Sequence, residues 1–216
     1  LPKGSGIREY KKVILQRIEE GNNFDLKNKK ILEIGCFIGD LLWDLKKKYK
    51  ADVIGIEPSS LACEYSKERY GLNLINNTFI NSIYSSFEKN NYQEFDIIIA
   101  DDVLSWMSRH FILQVLGAID WILKPEGSLF IRDYSPHFGF AYRNHHVKEV
   151  DVFNYKSMSG HKQFFLNTGM YFIQSEHSRV ELSFQQISTS RPDSALYSDV
   201  LLKKLKSPLH PVLNFD

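Results

Sequence analysis

Glu33, Gly35, Cys36 and Gly39 lie in the stretch Ile31-Leu-Glu-Ile-Gly-Cys-Phe-Ile-Gly-Asp-Leu-Leu42, and Glu57 and Pro58 end the next apolar run, Val53-Ile-Gly-Ile-Glu-Pro-Ser59. Glycines at a strand-to-helix turn let the backbone approach a ligand where a side chain would fill the space. A carboxylate on the approach to that turn repels a pyrophosphate but suits a ligand carrying an ammonium and a sulfonium. A second carboxylate at the end of the following run offers acceptors for both donors of a vicinal diol. It also repels a 2′-phosphate, which argues against NADP. A strand, loop, helix, strand unit of this kind binds a nucleoside. Its glycines depart from G-x-G-x-x-G, the pattern that aims backbone amides and a helix N-terminus at a pyrophosphate.

The order and content of the motifs resemble the class I S-adenosylmethionine (SAM)-dependent methyltransferases, from about Asn28 to Leu205. Glu33-Ile-Gly-Cys-Phe-Ile-Gly39 is similar to the family's E/D-x-G-x-G-x-G, with Phe37 in place of the middle glycine. The resemblance implies that Glu33, Gly35, Cys36 and Gly39 hold the methionine half and ribose of SAM, and that Glu57, with Pro58 beside it, binds the ribose hydroxyls. It implies that Ser82 reads the adenine amine, where an Asp is more usual, with Ile83 packed on the ring. Ala100-Asp-Asp-Val-Leu-Ser-Trp106 takes the place of the motif beside the transferable methyl. One of its acids can cap the next helix, and Asp101, the first after the strand, is the better candidate for the methionine end or the acceptor. Lys124-Pro-Glu-Gly-Ser-Leu-Phe130 resembles L-K-P-G-G-x-L, a turn that marks the fold and not the substrate. The N/D-P-P-Y/F motif common among amino methyltransferases acting on bases and glutamine is absent.

The distinctive segment is Tyr134-Ser-Pro-His-Phe-Gly-Phe-Ala-Tyr-Arg-Asn-His-His146. Its aromatic side chains, histidines and arginine suit a pocket for a polar, ring-shaped or anionic small molecule, and Tyr134, His137, Tyr142 and Arg143 are the expected substrate contacts. Methyl transfer is an in-line displacement in which the enzyme mainly aligns donor and acceptor and takes the proton of a hydroxyl acceptor. A histidine titrating near neutrality is the natural base. His145 and His146 are adjacent, so in extended backbone only one of them faces the pocket; one of this pair is the expected catalytic base, ahead of His137. No metal is expected, because the histidines lack an i, i+4 helical pair and neither cysteine is near in sequence.

These residues need strands that end at one edge and helices that cover both faces. Ile7, Tyr10, Ile14 and Ile18 recur at helical spacing and predict a first helix over 7–20 that stops at Gly21. Strands are predicted at Lys30–Ile34, Val53–Ile56, Leu74–Ile80, Phe95–Ala100 and Ser128–Arg132, with further alternation at Met170–Ser183 and Ser198–Leu202 as an antiparallel hairpin. Helices follow Gly39, run from Ser59 or Ser60 to about Tyr70 with Gly71 as the stop, and cover Arg109–Leu123. The expected fold is α/β: a doubly wound, mostly parallel seven-stranded sheet with helices on both faces, its ligand at the carboxyl ends of the strands. One domain over 1–216 is expected, with a substrate-covering insertion of irregular structure at about 134–160.

The net charge of +1, with 43% hydrophobic and 25% charged residues among 216, points to no nucleic acid and no anionic membrane. No apolar stretch approaches the ~18 residues of a bilayer span. Cys36 and Cys63 match no metal or redox spacing and read as free thiols of a reducing cytosol. The expected function is transfer of a methyl group from SAM, leaving S-adenosylhomocysteine (SAH), to a hydroxyl or amine of a small polar acceptor, with a sugar or nucleotide-linked intermediate of surface glycan synthesis as the favoured class. A cytoplasmic monomer or homodimer is expected. Competing readings are an RNA or protein acceptor, a module that binds SAM without turnover, and an NAD-dependent oxidoreductase. Glu57 permits the last, whereas Glu33 and the Gly35–Gly39 spacing oppose it.

Overall fold

In β1 (Lys30–Ile34) and β3 (Phe95–Asp101) almost every side chain is buried, whichever way it points. Such strands sit in the middle of a parallel sheet covered on both faces. A computed structural model places them so, and describes residues 9–23, 25–87, 93–104, 107, 109–134, 140–142, 153–155, 158–180 and 196–206. β1 pairs in parallel with β2 (Asp52–Ile56) on one side and β3 on the other, and β3 pairs in parallel with β4 (Leu123–Tyr134). β8 (Leu196–Lys204) is antiparallel to both β4 and β7 (Tyr171–Val180), giving the six-stranded order β2-β1-β3-β4-β8-β7.

Strand alternation divides the core in two. Ile31, Ile97, Ile99 and Phe130 pack against α1 (Glu9–Gly21) and α2 (Asp40–Tyr49) through Ile14, Leu15, Ile18, Leu41 and Leu45. Leu32, Ile34, Ile98, Ala100, Leu129 and Ile131 meet α4 (Phe79–Phe87), α5 (Arg109–Ile122) and α6 (Met158–Asn167) on the opposite face. α3 (Ser60–Tyr70) begins where the Ser59 side chain accepts from the Ala62 amide at 3.3 Å, and ends at Gly71 with φ 65°. Both signals were expected of this segment.

Three expectations are corrected. The run Leu74–Ile80 is not a strand. Only Ile75 bridges to Ile56, so the seventh strand shrinks to one isolated pairing at the sheet edge. The reason is polar: Asn76 donates its side-chain amide to the carbonyls of Glu57 and Pro58, and the Thr78 hydroxyl accepts from the Asn81 amide, which starts α4 instead. The Lys124–Gly127 turn lies within β4, as a bulge between the pairs Phe95↔Leu123 and Ile97↔Ser128, with Glu126 at φ 62°. The segment 134–160 also has regular structure. β5 (Phe140–Tyr142) pairs antiparallel with β6 (Phe153–Tyr155), and α6 begins at Met158. Strands of three residues are too short to leave a periodic signature.

Candidate cofactor site

The period of two along the strands sets the first layer of the site. Ile31 and Glu33, Ile99 and Asp101, and Phe130 and Arg132 point to the α1 face, and the last member of each pair stands near the carboxyl end of its strand. Lys11, one turn before Ile14 on the buried stripe of α1, reaches this layer. Its Nζ lies 2.5 Å from Glu33 Oε1 and 2.9 Å from Asp101 Oδ2. Arg132 Nε closes on Asp101 Oδ1 at 2.5 Å. All four residues are buried. Asp102 follows Asp101 with φ 52°, its amide donating to the Arg132 carbonyl at 2.8 Å, and Asp133 is fully buried at the end of β4. A left-handed backbone at a non-glycine residue costs about 1–2 kcal/mol and is easiest for Asp or Asn.

Charge is unevenly distributed here. Burial works against the Lys11 ammonium, but Asp101 and Glu33 outweigh it and raise its pKa. Burial also opposes ionisation of Asp101, yet Lys11 and Arg132 hold its pKa below the ordinary carboxylate range. Burial pushes Glu33 up to about 7 despite Lys11, with Asp101 and Asp40 adding to the rise. Asp102 is pushed up to about 8, by burial first and then by Asp133 and Asp101. The carboxyl groups of Glu33, Asp101, Asp102 and Asp133 thus outnumber the cations Lys11 and Arg132, and Asp40 adds a further carboxylate beside Glu33. Two carboxyl oxygens, Glu33 Oε2 and Asp102 Oδ1, are buried without a hydrogen-bond partner among the described residues. Buried acceptors normally have donors, so these two oxygens are free to accept from the N–H or O–H groups of a ligand.

The second layer is the turn between β1 and α2. Gly35 has φ 66° and Gly39 φ 69°, and a Cβ on Gly35 would lie 2.8 Å from Val103 Cγ2. Phe37, which stands in place of the family pattern's middle glycine, adopts φ 53° with its side chain half exposed. Glu57 holds the turn in place: Oε2 accepts from the Phe37 amide and Oε1 from the Ser59 amide, both at 2.9 Å. Each oxygen keeps a second lone pair, so the carboxylate can still serve a diol. Cys36 is buried and its thiol pKa raised by that burial; Cys63 is also free.

The remaining expected residues divide by place. Ser82 and Ile83 lie on α4 instead of following a strand. The Ser82 hydroxyl donates to the Thr78 carbonyl at 2.8 Å, and Ile83 is buried in the core against α5. Pro58 is exposed beside Glu57. By backbone register Tyr134 pairs with Tyr197 and Tyr142 with Phe153. His137, Arg143, His145 and His146 lie outside the described residues. Sequence reasoning missed Lys11, Arg132, Asp102 and Asp133 as one cluster. The available signal was a lone cation on the apolar stripe of α1, three residues from Ile14 and seven from Ile18. Among the described residues no group of His, Cys, Asp and Glu could hold a metal ion.

The orphaned acceptors, the excess of carboxylates and a glycine turn that a Cβ would block fit a nucleoside with a cationic amino-acid arm. Comparison with known proteins agrees. The profile of a methyltransferase domain matches residues 25–192, and the chain belongs to that methyltransferase family. The chain is 30% identical over 112 residues to the ribosomal protein L11 methyltransferase of Helicobacter acinonychis (strain Sheeba), covering 50% of this chain and 33% of that one. It is 25% identical over 186 residues to O-methyltransferase 3 of Dictyostelium discoideum, covering 78% and 40%. The chain thus spans half or less of the length of these two curated relatives. In fold it is similar to coclaurine N-methyltransferase bound to N-methylheliamine and SAH, with TM-score 0.64, 15% identity and coverage of 94% of this chain and 75% of that one.

Proposed function

We propose that this chain moves a methyl group from SAM to a hydroxyl, or an amine, of a small polar acceptor, as a single domain with the acceptor pocket in the segment around 134–160. The observation that carries the donor side is the pair of orphaned carboxyl oxygens, Glu33 Oε2 and Asp102 Oδ1, beside the glycine turn. SAM supplies a methyl carbon already activated by its sulfonium. The protein's work is then to hold and to align. Glu57 and the Gly35–Gly39 turn take the ribose, the Glu33 layer takes the ammonium, and Ser82 is assigned to the adenine. Tyr134, His137, Tyr142 and Arg143 line the acceptor pocket, and His145 or His146 takes the hydroxyl proton. The aromatic and histidine content of this segment supports a ring-shaped acceptor, and the coclaurine enzyme offers a small-molecule precedent on the same fold. A sugar or nucleotide-linked intermediate of glycan synthesis is the favoured class.

The test is transfer of labelled methyl to a panel of sugars, nucleotide sugars and phenols, by the wild type and by H145A/H146A. The double variant is expected to lose transfer by about a hundredfold or more while still binding SAH. Full turnover in the double variant would remove the histidines as the base. The likeness to a ribosomal protein methyltransferase favours one second reading, a protein acceptor. Label in a ribosomal protein fraction and in none of the small molecules would establish it.

A further inference from the structure

We infer that Lys11 is a positioning residue of the cofactor site: by bridging Glu33 and Asp101 it holds the two carboxyl groups in place for the ligand's amino-acid arm, so that α1 sets how strongly the domain prefers an amino-acid-bearing sulfur nucleoside over the bare nucleoside. The inference rests on the cofactor class and is independent of the acceptor.

Lys11 is 3% exposed, and its ammonium touches carboxylates from two neighbouring strands at 2.5 and 2.9 Å. Burying a lysine this deeply is unfavourable unless it is paired. Helix packing alone would be served by leucine or methionine, as Ile14 and Ile18 serve it one and two turns further on. The other cation of the layer, Arg132, holds Asp101 through Oδ1. Glu33 meets Lys11 from α1, Asp101 from β3 and Asp40 from α2. Without Lys11, Glu33 would lose its ion-pair partner and keep the carboxylates of Asp101 and Asp40 nearby, which favours its protonated form. A protonated carboxyl is a poor partner for an ammonium. The ribose side is built differently. Glu57 is held by the amides of Phe37 and Ser59, and no contact joins it to Lys11 among the described residues. Loss of Lys11 should therefore weaken one end of the ligand and spare the other.

Calorimetric titration of the full chain with SAH and with 5′-methylthioadenosine, which has the same nucleoside and no amino-acid arm, separates the two ends. Wild type, K11M and K11R are compared, each first shown to be folded by its thermal transition. K11M is expected to lose about tenfold or more in SAH affinity and to bind methylthioadenosine within about twofold of wild type. K11R, which keeps the charge, is expected to recover most of the SAH affinity. Equal losses with both ligands would overturn the inference, because Lys11 would then merely seat α1. An unchanged or improved SAH affinity would also overturn it, the latter showing that Lys11 competes with the ligand's ammonium. If K11M does not fold, K11Q, which keeps two donors without the charge, makes the same comparison. Silence of the wild type toward both ligands would remove the cofactor assignment itself.

Discussion

Asp102 joins a left-handed backbone, a buried Oδ1 and two carboxyl neighbours, Asp101 and Asp133. Its pKa of about 8 in the folded chain lies above its ordinary value, so the native state keeps a proton that the unfolded chain releases near pH 4. The sign follows: the unfolded state binds fewer protons between about pH 4 and 8, and native stability falls as pH rises through that window. Asp102→Asn cannot ionise and escapes this slope. Its melting temperature relative to wild type should rise between pH 5 and pH 8, by several degrees if about 1–3 kcal/mol is recovered. A constant difference in thermal scans across that range would show that Asp102 is ionised throughout. Glu33 titrates in the same direction in both proteins and cancels from the comparison.

At the scale of elements, the edge of the site depends on how closely β2 approaches α2 and the segment after Gly71. A Cβ on Gly55 would lie 2.6 Å from Cys36 Sγ and 2.7 Å from both Leu42 Cδ1 and Leu74 Cδ2. Gly55→Ala is therefore expected to cost about 1–3 kcal/mol through overpacking, read as a shifted denaturation midpoint. Because Cys36 belongs to the ligand turn, SAH affinity should fall in the same variant. A neutral substitution would mean that Leu74 moves freely aside. The pairing Ile56↔Ile75 explains why this place is sensitive. With one bridge in place of a full seventh strand, side-chain packing and the Asn76 bonds to the Glu57 and Pro58 carbonyls hold that edge.

For the whole molecule, the net charge of +1 leaves little long-range field to steer a polyanion. Methyl transfer to a small acceptor should then depend only weakly on salt, whereas an RNA acceptor would show affinity falling steeply between 50 and 200 mM salt, on the order of a factor of ten per few phosphate contacts. The same global view predicts ligand-linked stability. At about one hundred times its Kd, SAH should stabilise the fold by about 2.7 kcal/mol and raise Tm, and NAD should not. Stabilisation by NAD alone would overturn the reading of Glu33. No helix among the described residues is long and apolar enough to cross a membrane.

The strand, turn, helix, strand unit was legible because its signals are local. Apolar runs, Gly35, Gly39, Ser59 and Gly71 each act within a few residues of chain, and the period of the pattern is set by backbone geometry. The central strands, α2, α3 and α5, and the antiparallel finish at β7 and β8 follow from the same information. Lys11, Arg132 and Asp102 were not legible as a cluster with Glu33, because residues from α1, β4, the end of β3 and β1 become neighbours only when strand pairing and helix docking bring them together. The different surroundings of Asp101 and Asp102 arise in the same way. Asp101 ends β3 and the pleat turns it toward Lys11 and Arg132, whose charges offset its own, whereas Asp102 follows in a left-handed turn near Asp133, with one buried carboxyl oxygen unpaired among the described residues.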